Sequence, residues 1–101
     1  MEIIETKFGK FEIVENYREA FELEKFENKY IEDVFDRYIY VVGDIASELL
    51  RLKGFNSRKR NNNSYKHIYD YINESCNANC PYFVLKRIKE EEIITKEVRG
   101  E

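Results

Sequence analysis

A cationic segment is the first part of this sequence whose residue types could do chemistry. Residues 51–67 carry six of the chain's 17 Lys and Arg residues and no Asp or Glu. The other residues carry 11 cations and all 20 acids. The cations are Arg51, Lys53, Arg58, Lys59, Arg60 and Lys66. Phe55, Tyr65 and His67 place rings among these charges, and single-stranded RNA is bound by cations interleaved with rings. Basic loops are also common as plain solvated surface, so RNA binding is one of two alternatives.

Two cysteines and one histidine bear on redox and metal chemistry. Cys76 and Cys80 lie four residues apart across a predicted helix end, and His67 falls on the helix face opposite Cys76. A structural zinc ion takes four N or S ligands, so this set predicts no metal site. We expect Cys76 to pack as a small apolar group and Cys80 to begin the last strand, with both thiols reduced. A redox pair is the alternative, because the spacing permits a disulfide.

Asp44 is the carboxylate with the most informative position. It ends a β-branched run and faces the arm that carries Arg51, which predicts a cross-strand ion pair. Catalysis by Asp44 would need a second acid or base nearby, and the spacing of the sequence points to neither. The sequence contains no GxGxxG, P-loop or HExxH motif. It therefore predicts no catalytic residue, no cofactor and no metal.

Residues 38–55 form the stretch around which the other elements are arranged. Residues 39–42 are β-branched or aromatic, which predicts a strand, and apolar residues on both of its faces place it near the middle of a sheet. In a second strand, leucines alternate with cations, so the leucines face the core and the cations face outward. The alternating residues are Leu50, Arg51, Leu52 and Lys53. Gly43 and Gly54 are predicted to permit a bulge or a close approach of another segment.

The other elements are a first hairpin, two helices and a last strand. Residues 3–15 predict a hairpin that turns at Gly9, after which Asn16 is expected to cap a helical turn. Apolar periodicity predicts the helices, and an apolar run after Pro81 predicts the strand. Their ranges are 23–37 and 64–76 for the helices and 82–88 for the strand. The order ββαββαβ predicts an α+β fold, a small antiparallel sheet with two helices packed mostly on one side.

Length and composition indicate one domain in the cytoplasm. The 101 residues divide into a single domain over 1–89 and an acidic C-terminal tail over 90–101. The aromatic content of 15% indicates a folded core despite a charged content of 37%. The longest apolar run, around residues 39–42, is far shorter than the ~20 residues of a membrane span, and no apolar export signal begins the sequence. We therefore expect no membrane partner.

Four segments, in their order and spacing, carry a resemblance to a known family. They are FEIVENYREAFELEKFENKY, YIYVVGD, LLRLKGF and ESCNANCPYFVLK. With these segments the sequence resembles the YutD-like family of small proteins from low-GC Gram-positive bacteria, over about residues 11–88. It departs from the family pattern at residues 45–48. The resemblance implies a small bacterial cytosolic domain without an established biochemical activity, and it gives no catalytic residue to carry over.

The sequence favours a binding or regulatory module that acts through a protein partner. Aromatic side chains of the central hairpin, Tyr40 and Phe55, are the expected interface anchors. An RNA-binding accessory protein that uses residues 51–67 is the alternative, and an enzyme comes third. The residues assigned to binding are Tyr40, Arg51, Lys53, Phe55, Arg58, Lys59, Arg60 and Lys66. Those assigned to structure are Gly43, Asp44, Gly54, Cys76 and Cys80.

Overall fold

Five strands form one antiparallel sheet in the computed structural model of the protein, which describes residues 2–56, 64–75 and 79–88. The strands are β1 (Glu2–Thr6), β2 (Gly9–Tyr17), β3 (Tyr40–Ala46), β4 (Leu49–Phe55) and β5 (Tyr82–Ile88). The helices are α1 (Leu23–Lys29), α2 (Glu32–Phe35) and α3 (Ile68–Ser75), and a 3₁₀ turn (Tyr65–His67) leads into α3. The predicted α+β class and antiparallel sheet are confirmed.

The strand β5 comes last among the described strands but lies in the middle of the sheet. The spatial order is β1-β2-β5-β3-β4, so β5 lies between the β1–β2 hairpin and the β3–β4 hairpin. It pairs antiparallel with β2 on one side and with β3 on the other. The strand predicted over 82–88 is thus central, and β3 is paired on both sides, as its apolar faces indicated.

Helices cover both faces of this sheet because β3 is apolar on both. Val41 and Val42 are each fully buried, and successive strand residues point to opposite faces. Val41 belongs to the core beneath α1 and α2. Val42 belongs to a second core beneath α3, together with Ile68 and Ile72. The predicted arrangement of helices mostly on one side therefore needs correction, since Val42 would be exposed if α3 did not take the other face.

The helix predicted over 23–37 is interrupted at Tyr30 and Ile31, whose ψ angles of 127° and 110° are extended. In a continuous helix, residues five apart such as Tyr30 and Phe35 differ in direction by about 140°. The interruption lets both rings enter one core, where their centroids lie 5.5 Å apart. Ile31 and Val34, which the periodicity placed on the apolar stripe, are exposed as a result.

The chain after the first hairpin continues as a strand and does not form the helical turn predicted at Asn16. Asn16 and Tyr17 stay in β2 because both pair with β5. The Asn16 side chain accepts a hydrogen bond from the Phe21 N–H at 3.0 Å. Arg18 and Glu19 then turn the chain with φ angles of 57° and 54°. A strand ladder formed with distant residues here outweighs a local capping signal.

Arg87 of β5 joins several segments on the face that carries α1 and α2. Its guanidinium donates to three backbone carbonyls, those of Phe8 (3.2 Å), Phe35 (3.1 Å) and Tyr38 (3.1 Å). It also donates to the Tyr30 hydroxyl, which in turn donates to Asp36 at 2.6 Å. The guanidinium lies 4.8 Å from the centroid of the Phe11 ring, and only 14% of the Arg87 side chain is exposed. The central strand is thereby tied to the β1–β2 turn and to the end of α2.

Replacing Arg87 by Leu is expected to lower the free energy of unfolding by about 3 to 5 kcal/mol, because three carbonyls lose their donor in a partly buried site. Arg87→Lys should recover only part of this loss, since an ammonium group lacks the planar fork. Lys86→Met, at an exposed neighbour in β5, should stay within about 0.5 kcal/mol. Urea unfolding followed by circular dichroism measures all three. Equal losses for Arg87→Leu and Lys86→Met would contradict this role of Arg87.

Tyr30 makes the stability of the fold sensitive to alkaline pH. Burial, reinforced by the hydrogen bond to Asp36, raises the pKa of Tyr30 from 10.0 to about 12. The folded protein therefore keeps this proton at pH values where the unfolded chain has lost it. The contribution to stability is present below pH 10 and is lost as the pH rises toward 12. The free energy of unfolding should fall over this range, and Tyr30→Phe should flatten the fall; identical slopes would contradict the assignment.

Candidate functional site

The structure describes only part of the predicted cationic segment. Arg51 and Lys53 are exposed on the same face of β4, because residues two apart in a strand share a face. Lys66 is exposed in the 3₁₀ turn. The remaining cations, Arg58, Lys59 and Arg60, lie outside the described residues. An RNA-binding surface over residues 51–67 therefore stays a prediction.

Asp44 places a carboxylate between β3, β4 and α3. Its side chain is 0% exposed. The carboxylate accepts hydrogen bonds from the Arg51 guanidinium and from the Tyr71 hydroxyl, the latter at 3.0 Å. The hydrogen bond to Asp44 raises the pKa of Arg51. The predicted cross-strand ion pair is present, and the charge of Arg51 neutralises a buried carboxylate.

The aromatic side chains predicted as interface anchors belong to the core beneath α3. Phe55 is 1% exposed, and its ring centroid lies 5.9 Å from that of Tyr71. Tyr40 is partly buried and stacks on Tyr65 with a centroid distance of 5.8 Å. Lys53 covers this cluster, with its Nζ 5.8 Å from the centroid of the Phe55 ring. The expected exposure of Phe55 is wrong because α3 packs on this face of the sheet and buries the ring.

An accessible apolar surface lies instead at the end of the β3–β4 hairpin. Ser47 and Glu48 form a two-residue turn with φ angles of 52° and 66°, the handedness that suits a tight hairpin. Leu49 follows the turn and is 63% exposed, more than any other large apolar side chain in the described ranges. Beside it, a cleft of about 260 Å³ separates the hairpin from α1. We call Ser47, Glu48, Leu49 and this cleft the hairpin tip. The cleft is lined by Lys25, Asn28, Lys29, Ile45, Glu48, Leu49 and Leu50.

Glu15 tethers α3 to β2 through tyrosine hydroxyls. Its carboxylate accepts hydrogen bonds from Tyr69 at 2.6 Å and from Tyr82 at 2.5 Å. The hydrogen bond to Glu15 raises the pKa of Tyr69 to about 12, and burial together with Glu15 raises the pKa of Tyr82. Tyr17 stacks on Tyr82 with a centroid distance of 5.3 Å. Both hydroxyls therefore keep their protons to a higher pH than an ordinary tyrosine, and the hydrogen bond of Tyr69 links α3 to β2.

Of the hairpin tip and the tyrosine contacts of Glu15, only the hairpin tip has a signal in the sequence. Leu49 and Leu50 are adjacent, and two neighbouring leucines break the period-two alternation of β4, so one of them must point away from the leucine face. That break could have located the exposed Leu49. The tyrosines that contact Glu15 lie 54 and 67 residues away in the chain, and no local pattern indicates this cluster.

The two glycines assigned to structure each lie against an aromatic ring. The ring of Phe83 occupies the position that a Cβ would take at Gly43, and the ring of Tyr38 does so at Gly54. Both glycines thus permit the close approach of another segment, which was one of the two roles predicted for them. The rings come from β5 and from the connection before β3, so the glycines help to seat both against the hairpin.

Cys80 is disulfide-bonded, which corrects the expectation of a reduced thiol at this position. The other cysteine of the sequence, Cys76, lies outside the described residues. A disulfide is the alternative that the spacing of the two cysteines in the sequence permits. The expectation of reduced thiols came from the predicted compartment, which carries no information about this geometry.

The polar groups of the described residues are engaged in structural contacts. Within these ranges, every buried side-chain N or O atom has a hydrogen-bond partner. No group of three or more His, Cys, Asp or Glu in the same ranges could hold a metal ion, and His67 lies 3.6 Å from Asp70 as a pair. None of the helices described is both long and apolar enough to cross a membrane. The hairpin tip carries the most exposed large apolar side chain of the described ranges, and a partner could contact it.

Known proteins similar to this chain share both its sequence and its fold. Residues 5–86 match the family described as "Putative antitoxin YutD-like". The protein "Putative antitoxin YutD" of Bacillus subtilis (strain 168) is 40% identical over 85 residues, which are 80% of this chain and 92% of that protein. The solution NMR structure of protein yutD from B. subtilis matches with a TM-score of 0.71 at 35% identity, over 88% of this chain and 84% of that chain. The resemblance in the sequence is thus confirmed, and the chain belongs to the YutD-like family.

Proposed function

We propose that this protein binds a protein partner and holds it in an inhibited complex, in the manner of an antitoxin. The words "Putative antitoxin" in the descriptions of the family and of its B. subtilis relative support a regulatory role for the chain. Direct binding of the inhibited protein is the simplest mechanism open to a chain of 101 residues. We place the complex in the cytoplasm, the compartment that the sequence indicates.

The exposure of Leu49 at the hairpin tip is the observation that carries this proposal. An exposed large apolar side chain gains free energy when a partner covers it, and a central apolar anchor is typical of protein interfaces. The two-residue turn and the β3 ladder hold Leu49 in place, so little conformational entropy is lost on binding. The cleft beside Leu49 offers a recess for a side chain of the partner.

RNA binding has less support among the described residues. Phosphate recognition needs several accessible cations whose charge is free to act on the ligand. Arg51 already neutralises Asp44, while Lys53 and Lys66 are exposed on different elements. The apolar hairpin tip has no role in phosphate binding, whereas it fits a protein interface. A protein partner is therefore the function that we put forward.

Leu49→Asp is expected to weaken capture of the partner by at least about tenfold, because a charge replaces an apolar side chain that binding would bury. The tagged wild-type chain and the variant are expressed in the native host, the lysates are treated with nuclease, and bound proteins are quantified by mass spectrometry. Ile3→Asp is the matched control, because Ile3 is 52% exposed on β1, the strand at the opposite edge. The control should capture as much partner as the wild type.

Inhibition is tested with the captured partner itself. Expression of that protein alone should slow growth, and co-expression of the wild-type chain, but not of Leu49→Asp, should restore growth. Loss of all bound protein on nuclease treatment would overturn the proposed protein partner. A partner that is harmless when expressed alone would overturn the inhibitory role.

A further inference from the structure

Hydrogen bonds to β5 fix which backbone groups of β3 face β4. The Ile45 N–H donates to the Pro81 carbonyl at 3.0 Å, and the Arg87 N–H donates to the Ile39 carbonyl at 2.6 Å. In an antiparallel strand, the N–H and C=O of one residue point to the same side, and those of the next residue point to the other side. The odd-numbered residues along β3 therefore face β5, and its even-numbered residues face β4.

The register of the hairpin carries this alternation into β4. The partners of the even-numbered residues Tyr40, Val42, Asp44 and Ala46 are Phe55, Lys53, Arg51 and Leu49. These partners direct their N–H and C=O groups to β3. Leu50, Leu52 and Gly54 consequently direct theirs away from β3, and β4 is an edge strand of the described sheet. Gly54 is buried beneath Tyr38, so the accessible part of this edge is residues 49–53.

Cations at the β4 edge disfavour pairing with a second copy of the chain and favour pairing with an acidic strand. Arg51 and Lys53 are exposed on the face of β4 that carries α3. If two β4 strands paired antiparallel about Leu52, Arg51 of one copy would lie opposite Lys53 of the other. Like charges directly opposite are unfavourable, and cations are a common protection of edge strands against self-association. Because Asp44 already neutralises Arg51, the attraction for an added strand comes from Lys53, which favours a carboxylate on the same face.

The opposite face of the edge meets the cleft at the hairpin tip. Leu50 and Leu52 belong to the core on this face, and Lys25 and Lys29 of α1 border the cleft. An added strand points alternate side chains to the two faces of the sheet. Its carboxylates would thus lie on the face of the sheet that carries Lys53, while the side chains between them would enter the cleft, where Ile45 and Leu50 favour apolar groups.

We propose that residues 49–53 bind an extended acidic segment of the protein partner, which joins the sheet beside β4 as an additional strand. This inference rests on the proposed function and specifies the chemistry of the partner, with carboxylates alternating with apolar residues. Outward backbone groups of Leu50 and Leu52 form the new ladder and provide affinity, while Lys53 and the cleft select the side chains.

A synthetic peptide of alternating glutamate and valine tests the edge directly. In ¹⁵N NMR spectra of the full chain at low salt, the peptide should shift the amide signals of Leu50 and Leu52 and slow their hydrogen exchange. The amides of Arg51 and Lys53, which face β3, should exchange slowly already. A peptide of alternating lysine and valine should leave the spectra unchanged. Absent shifts at millimolar peptide, equal shifts with both peptides, or shifts confined to other elements would each overturn the proposal.

Two substitutions at Leu52 separate the backbone from the side chain. Leu52→Pro removes the outward N–H, whereas Leu52→Ala loses comparable packing and keeps the N–H. We expect Leu52→Ala to bind the glutamate peptide within about threefold of the wild type and Leu52→Pro to bind at least about tenfold more weakly. If the two variants bound the glutamate peptide with equal affinity, the proposed backbone hydrogen bonds to the β4 edge would be wrong. Should Leu52→Pro fail to fold by circular dichroism, Lys53→Glu decides, and undiminished binding by that variant overturns the proposal.

The outcome is distinguishable from that of the proposed function. Capture of a nuclease-resistant partner that depends on Leu49, together with no response to the glutamate peptide, overturns docking at the β4 edge alone. Absence of any captured protein overturns the partner and the docking mode together. A photocrosslinking residue in place of Leu49, compared with one in place of Ile3 on β1, checks the location: crosslinks confined to the β1 position overturn the proposal.

Discussion

The guanidinium of Arg87 fixes how three separate parts of the chain meet. Carbonyls from the β1–β2 turn, from the end of α2 and from the approach to β3 all point at one group on the central strand. A planar fork of donors can satisfy such a set, and a single ammonium group cannot. Because the site is largely closed to water, each carbonyl depends on this donor. The first hairpin, α2 and β5 therefore cannot shift independently of one another.

On the other face of the sheet, the charged group that holds neighbouring elements together is the carboxylate of Asp44. Arg87 shares its face with Phe83 and Leu85, beneath α1 and α2, whereas the carboxylate of Asp44 lies beneath α3. A slip of one residue in either strand would carry a charge into the wrong apolar layer and leave its partners unsatisfied. The buried carboxylate of Asp44 and the partly buried guanidinium of Arg87 thus define the register of β3 and β5, as the valines of β3 define that both faces are covered.

Features that depend on neighbouring residues could be predicted from the sequence, and features that depend on distant contacts could not. The strands around 39–42, 50–53 and 82–88 were predictable because side-chain alternation is local, and so was the pairing of Asp44 with Arg51 across a short turn. The interruption of the predicted helix at Tyr30 could not be predicted, because it depends on contacts of Tyr30 with Arg87, 57 residues away. The sequence predicted Phe55 as an exposed interface anchor of the central hairpin, and the docking of the distant α3 buries it.

The central position of β5 also determines the order of events during synthesis. Each hairpin is built from neighbouring residues, but β2 and β3 meet no other described strand on their inner sides until residues 82–88 are available. A nascent chain that lacks them carries two half-formed sheets, and two apolar edges open to other chains. Contacts of high sequence separation make folding late and comparatively slow. The last strand of the described residues, β5, is thus the element that joins the two hairpins into one sheet.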